Sequence, residues 1–339
     1  MGTADPRPVR RSWQGRVVRF APYIAGGMIL IILPPLTSSY PQIVMTKILI
    51  FAIFAMSLNL ILGYTGLLSL GHAAYLGVGG YAVGILMVRY GVESFWVGAP
   101  LAILMSSLIA AVFGIIALRV SGLYFLLVTF AMGQLLVSLA FKWKWLSTNP
   151  PPYGTEGVIG ISRPALGLPW LAWDVTYFYF FVFIVFVVCL VILHRIVNSP
   201  FGHALQGIRD SELRMRALGY NTWLYKYVAF VVAAAFAGVA GVLLAYHNGA
   251  MVPSAFGVLY SGLAMLMVII GGTGTLYGPV FGSAVIIIIE FYSSTFTPER
   301  WPLILGGVFV LAVMYARAGI GVYLSRLWKR VLSYGNLKG

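Results

Sequence analysis

Residues Ser199 to Tyr220 read SPFGHALQGIRDSELRMRALGY, and within eight of these positions stand Arg209, Asp210, Glu212, Arg214 and Arg216. Only 9% of the chain is charged. In a membrane protein such a segment has to stand in water, where it can touch something soluble. Asn198 or Ser199 is suited to cap a helix that starts at Pro200, and Gly219 to end it. Phe201, Leu205, Ile208, Met215 and Leu218 form an approximate stripe at helical spacing, opposite most of the charges. A helix of this kind lies along a membrane surface or docks in a partner's groove. Phe201, Leu205 and Ile208 are then its expected anchors, with Arg209, Arg214 and Arg216 setting orientation and encounter rate and Asp210, Glu212 and Gly219 completing the coupling segment. An ordinary solvated loop is the plainer alternative.

A second constellation runs Asn59-Leu-Ile-Leu-Gly63-Tyr-Thr-Gly66-Leu-Leu-Ser69-Leu-Gly71-His72-Ala-Ala-Tyr75 and continues through Gly77, Gly79, Gly80 and Gly84. Breaks at Gly63, Gly66 and Gly71 free backbone groups, which is tolerable at membrane depth only against protein or a water-filled path. Asn59, Ser69 and His72 are polar there and are candidates for a solute path, with Gly77 and Gly80 leaving room beside them. The other reading is that these polar groups tie helices together, and for His72 the two stand level. Gly80 and Gly84 have the spacing that lets helices approach closely. A counterpart region around His247–Gly262 contributes Asn248 as a further path candidate.

The third stretch, Gly271-Gly272-Thr273-Gly274-Thr275-Leu276-Tyr277-Gly278-Pro279, superficially resembles a nucleotide loop. No Gly-Lys-Ser/Thr ends it and no G-x-G-x-x-G can be read in it, so a tight turn between spans is expected. Glu290 lies in the apolar run that follows, either as an exposed interfacial carboxylate, the plainer reading, or as a pore group. His72, His194, His203 and His247 lack ligand spacing, so no metal is expected. The single Cys189 sits in an apolar run and offers no disulfide.

The elements that must position these residues are membrane helices. The chain of 339 residues is 60% hydrophobic with a mean hydropathy of +0.94, against roughly 25% charged residues in ordinary globular proteins. Apolar runs predict an all-α polytopic membrane protein of about ten spans, at 20–38, 43–62, 65–88, 96–118, 123–141, 175–195, 227–246, 257–270, 276–293 and 302–318. The Gly-rich or short spans at 65–88 and 257–270 are alternatively re-entrant, giving a range of eight to ten. Arg7 to Arg19 before an apolar run resembles a signal peptide, but the small-residue cleavage site is poor and an uncleaved span is expected.

The net charge of +14 gathers at the membrane edges rather than forming a nucleic-acid surface. With ten spans and both termini inside, sixteen basic residues fall inside and five outside, as the positive-inside bias requires. The chain then divides into a basic cytoplasmic arm at 1–19, a transmembrane domain at 20–320 and a cytoplasmic tail at 321–339. The domain carries an outer loop at 142–174 and a cytoplasmic loop at 197–226. Spans two to five and seven to ten run in opposite senses, an inverted four-span repeat of the kind that marks transporters with a central site. The outer loop, with Trp143, Trp145, Pro150-Pro151-Pro152 and Trp170, is either a docking surface or an interfacial aromatic belt.

Asn59–Tyr75, Gly154-Thr155-Glu156-Gly157, Ser199–Tyr220 and Gly271–Pro279, in this order, resemble the motifs of the permease subunits of branched-chain amino acid ABC importers, the LivM type. The resemblance covers roughly residues 43 to 320. It implies a heterodimer with a homologous LivH-type permease, two cytoplasmic ATPase subunits that bind ATP and Mg, and a periplasmic solute-binding protein. It also implies a multi-pass protein of the bacterial inner membrane that is no enzyme itself and holds no cofactor. Pro200–Gly219 matches the loop that engages an ATPase, although many relatives have two alanines and an acid where this chain has Leu213-Arg214-Met215-Arg216. Related permeases import urea, other amides or aromatic acids, so these remain alternative substrates. A proton- or sodium-driven carrier would need acidic groups within its spans, and an embedded enzyme would need a catalytic cluster. The sequence offers neither in a clear form.

Overall fold

The structure, a computed structural model, describes residues 30, 34, 36–142, 157–164, 174–296 and 301–315. Most of the expected first span, the basic arm, the tail, and the tryptophans and prolines of the outer loop lie outside these residues. The long apolar runs form α1 (Ser39–Thr65), α2 (Ala73–Tyr90), α3 (Phe95–Ala117), α4 (Leu123–Lys142), α5 (Val175–Val197) and α8 (Thr222–Asn248). Each is long and apolar enough to cross a membrane. Shorter helices are α6 (Pro200–Asp210), α7 (Glu212–Ala217), α9 (Val258–Gly271), α10 (Gly278–Phe296) and α11 (Trp301–Tyr315). Each of the nine expected spans from 43 onward thus coincides with a helix. The 14 residues of α9 reach only about 21 Å, short of a hydrocarbon core roughly 30 Å thick.

α1 and α8 form the centre. Of the apolar window in each, 72% is buried, against 28% in α3, α4 and α5, whose Leu104, Leu108, Leu127 and Ile184 stand exposed as a rim suited to lipid. α8 packs along α1, α2 and α3, while α1 also meets α5 and α10. The closest approach of α2 and α8 needs bare backbone. A Cβ at Gly79 would strike the Gly238 carbonyl, and one at Gly241 the Leu76 carbonyl.

The two central helices end alike. Gly66 turns left-handed at φ 75°, which lets the Leu67 N–H reach back to the Ile61 carbonyl at 3.1 Å, a helix stop that glycine favours. Gly249 ends α8 at φ 67°. Irregular chain follows each stop. After α8 it forms β2 (Ala250–Met251), a 3-10 turn (Pro253–Phe256) and then α9. β2 pairs antiparallel with β1 (Val158–Ile159) from the stretch between α4 and α5, with Val158 opposite Met251.

The polar stretch is two helices rather than one. The Ser199 side chain accepts from the Gly202 N–H, Pro200 opens α6 and Gly219 sits at φ 85°, as the sequence indicates. Ser211, however, is extended at φ −163°. It ends α6, and its hydroxyl caps α7 at the Arg214 N–H.

Candidate functional site: a helix break and its polar clasp

The break after α1 folds back into the protein. Ser57 Oγ lies 2.8 Å from His72 Nε2, although Ser57 stands about 12 Å up α1 from its end. Residues 66–72 therefore return alongside α1, and α2 begins at the depth of Ser57 instead of at a helix-layer edge. Leu67, Ser69 and His72 are buried while Gly66 and Leu68 are exposed, so the returning chain lies against protein on one side, as irregular backbone at membrane depth requires unless it lines a cavity. His72 stacks on Phe54 at 5.5 Å and meets Tyr75 edge-on at 5.8 Å. A Cβ on Gly71 would strike the Thr129 carbonyl, so glycine lets the returning chain lie directly against α4.

The tautomer of His72 follows from its partner. The Ser57 hydroxyl donates to the Phe54 carbonyl at 2.7 Å, so Nε2 of His72 is the donor to Ser57 and Nδ1 keeps a bare lone pair. His72 Nδ1 and Ser69 Oγ are buried without hydrogen-bond partners. Beside them the Ala73 N–H, at the start of α2, donates to Ser261 Oγ of α9 at 2.9 Å. The amino ends of α2 and α9 meet here, each carrying a partial positive charge. A Cβ on Gly77 would meet the Phe256 ring at 2.5 Å, and one on Gly80 the Met251 sulfur at 2.7 Å. Gly77 and Gly80 thus join the break after α1 to the segment after α8. Gly84 faces Ile161 and Val158, so the Gly80–Gly84 spacing seats the small sheet rather than a second helix.

The site offers hydroxyls, an imidazole lone pair and helix amino ends, but no nucleophile with a base and orienting partner. Among the described residues no group of three His, Cys, Asp or Glu could hold a metal. A hollow of about 380 Å³ lies nearby between α2, α3 and α4, bordered by Tyr81, Leu101, Met105, Leu136 and Phe256. Its lining is apolar, and it offers no group to a charged solute.

The other nominated polar residues form a clasp at the carboxyl end of α1, where the break begins. Asn59 Nδ2 donates to the Thr275 carbonyl at 2.9 Å, and its Oδ1 accepts from the Gly274 N–H at 3.0 Å. Arg209 of α6 donates to the Gly63 carbonyl at 2.6 Å. A Cβ on Gly66 would lie 3.0 Å from Arg209 Cγ, and one on Gly274 would lie 2.8 Å from its guanidinium. Three stretches separate in sequence thus converge on one point. The Gly271–Pro279 segment is the tight turn expected, since Gly271 and Gly278 meet backbone to backbone. Asn248, the last residue of α8, is exposed and away from these contacts.

The apolar stripe of α6 faces inward, and this corrects the expected anchors. Leu205 and Ile208 are 0% and 3% exposed within the chain, and Phe201 stacks on Tyr225 of α8 at 5.5 Å. These three hold α6 to the membrane body and are not available to a partner's groove. The sequence showed the stripe but not which surface it would cover. The free apolar groups are Leu213 and Leu218, 80% and 68% exposed. Glu212 fastens α7 to α8. It bonds Arg216 at 2.7 Å, Thr222 at 3.0 Å and Lys226. Burial alone would raise the Glu212 carboxyl, but its bond to Lys226 and that residue's charge, then Arg216 and Thr222, hold it below the usual carboxylate value. Asp210 lies 3.3 Å from Arg209, so these neighbours pair despite adjacency.

Glu290 is not the exposed carboxylate of the plainer reading. It lies in α10 with its side chain 18% exposed and pairs with Lys47 of α1 at 2.9 Å. Ser57, Ser261 and Lys47 were not singled out by the sequence. Lys47 carried a signal, as a lone cation within an apolar run, whereas the two serines are polar in runs where many helices carry serine.

The family model described as "Branched-chain amino acid transport system / permease component" matches residues 40–317. The chain is 28% identical over 297 residues to the high-affinity branched-chain amino acid transport system permease protein LivM of Salmonella typhimurium, covering 81% of this chain and 68% of that protein. It is 26% identical over 340 residues to the LivM protein of Escherichia coli, covering 94% and 78%. A probable LivM protein of Methanocaldococcus jannaschii is 25% identical over 305 residues, covering 78% and 88%. No solved structure matches.

Proposed function

Because this chain belongs to the family of branched-chain amino acid transport system permease components, we propose that it is one transmembrane half of an ATP-driven importer for branched-chain amino acids. In this reading it pairs with a homologous permease, two ATPase subunits supply the hydrolysis, and a binding protein delivers the solute from outside. The protein lies in the inner membrane with ten spans and both termini in the cytoplasm. The observation that carries the reading is the clasp in which Arg209 of the polar loop holds the Gly63 carbonyl while Asn59 holds the Gly271–Pro279 turn. A movement imposed on α6 and α7 from the cytoplasm reaches the end of α1, and so the break, through two hydrogen-bonded steps.

Contacts support the sidedness. Gly63, Arg209, Gly274 and Tyr277 gather at one end. Lys47, Arg163, Phe178, His247 and Glu290 gather at the other. The inverted repeat is supported by the equal 27-residue lengths of α1 and α8, by their glycine stops, and by the meeting of α2 and α9 at their amino ends. The break is the proposed solute path, with Ser69, His72, Gly77 and Gly80 along it.

Purification from its own cells should bring down ATPase subunits, and the complex in liposomes should import leucine only with ATP and the binding protein. A complex that purifies alone and moves leucine on a proton or sodium gradient would replace this reading with the secondary carrier. Import of urea, an amide or an aromatic acid in place of leucine would replace only the substrate.

A further inference from the structure

We propose that the Lys47–Glu290 ion pair is the recognition site for the charged head of a zwitterionic α-amino acid, whose ammonium displaces Lys47 from Glu290 while its carboxylate takes the place of Glu290 at Lys47. This deepens the import reading and rests on it for the direction of passage.

Glu290 is the one carboxylate within an apolar helix among the described residues. A carboxylate in an apolar helix is costly and tends to mark a functional group. The Lys47 and Glu290 side chains are 32% and 18% exposed, and a partly buried pair adds little net stability against its desolvation. The pair is also incomplete. Lys47 Nζ takes Glu290 Oε1 at 2.9 Å, while Oε2 is buried and accepts nothing. A carboxylate oxygen left bare is expensive, and an ammonium bringing three donors would satisfy it.

The groups facing the pair suit both ends of the solute. Lys47 and Arg163 both lie within electrostatic reach of His247, and Arg163 stands over the Phe178 ring at 5.5 Å, which stacks on His247 at 6.3 Å. A solute carboxylate thus finds a cation-rich side, and the ammonium finds Glu290, the one acid at this place among the described residues, beside Tyr260. Because the solute carries both charges, it exchanges into the pair without leaving either residue unpaired. An apolar wall leads inward from it: Lys47 stands over Phe51 at 5.8 Å, Phe51 stacks on Tyr260 at 6.0 Å, and Phe54 stacks on His72 at 5.5 Å. The spacing of Lys47, Phe51 and Phe54 puts them on one face of α1, spanning about 10 Å from the ion pair to the break. An apolar side chain can follow these rings while the head is held at the charges.

The test uses the assembled importer in detergent without its binding protein. Its thermal midpoint is followed with saturating leucine, glycine, leucinamide, which lacks the carboxylate, and isocaproate, which lacks the ammonium. A ligand that binds the folded state raises the midpoint. Leucine should raise it most, glycine less, and the two single-ended analogues not at all. Lys47→Met with Glu290→Leu should keep the unliganded midpoint and lose the response. If that pair does not assemble, Glu290→Gln, which retains an acceptor for Lys47, should lose it equally. The proposal is overturned if neither amino acid shifts the wild type, if the analogues act as well as leucine, or if the variant complex still responds. A charge-dependent response in a complex that imports no leucine would leave this site standing and sink the substrate reading alone.

Discussion

Asn59 uses both ends of its amide on a turn more than two hundred residues away, and it is fully buried while doing so. Replacing it with alanine leaves a carbonyl and an N–H without partners, at a cost of about 1–3 kcal/mol for each unsatisfied group. Asn59→Ala should lower the unfolding midpoint of the purified permease and loosen the Gly271–Pro279 turn, read by faster amide exchange there. An unchanged midpoint and unchanged exchange would show the clasp to be incidental. Glu212 gives the sign of a pH effect. Its folded carboxyl titrates below its usual 4.5, so its contribution is present above that value and is lost as pH falls through the depressed one. Proteolysis at α7 should therefore rise on acidification below about 4.5 in the wild type. Glu212→Gln should be cut more readily at neutral pH and show less change on acidification. At this scale the sequence could mark Asn59, Ser69 and His72 as polar where polarity is costly. It could not supply the contacts around them, because the Thr275 carbonyl reaches Asn59, and Ser261 the Ala73 N–H next to His72, only through the packing of α9 and α10.

At the scale of elements, burial separates two roles within the polar stretch. Ile208→Asp would force a carboxylate into the seam where α6 meets α1 and α8, and should destabilise the permease by several kcal/mol, about 3 or more. Leu213→Asp lies on the exposed face of α7 and should leave the midpoint alone while weakening co-purification of an ATPase. Loss of the ATPase in neither variant would remove the coupling role from these helices. Their caps were legible in Ser199, Pro200 and Gly219. The break at Ser211 was not, because Met215 and Leu218 continue the apolar spacing beyond it and a single serine does not announce an extended residue. Glycine positions give a second contrast. Gly79→Ala would drive a methyl into the Gly238 backbone and should cost about 1–3 kcal/mol, whereas nothing lies within 4 Å of a Cβ at Gly262. Gly262→Ala should be neutral in the same thermal assay.

For the whole molecule, the two ends of α1 set apart two sets of contacts, and sidedness follows as a single measurement. Cysteines placed at Ser162 and Leu213, both exposed, should be labelled from opposite faces of sealed vesicles, with the buried native Cys189 silent. Labelling of both from one face would end the ten-span topology. Hydropathy located the nine apolar helical stretches from 43 onward well, six of them long enough to cross a membrane, since length and apolarity are written locally. It placed the start of α2 eight residues early, at 65 instead of Ala73, because the Gly66–His72 return is as apolar as the helix it precedes.

The two-stranded sheet has a consequence for how news from outside would travel. Val158, in the loop proposed to face outward, is stitched to Met251, and Met251 fills the notch left by Gly80. A tug on the outer loop therefore draws a plug from the wall of the break over the width of one strand pair, with no span required to tilt. The molecule holds its interior from both sides by short tethers, the guanidinium of Arg209 at one end and this drawstring of backbone at the other.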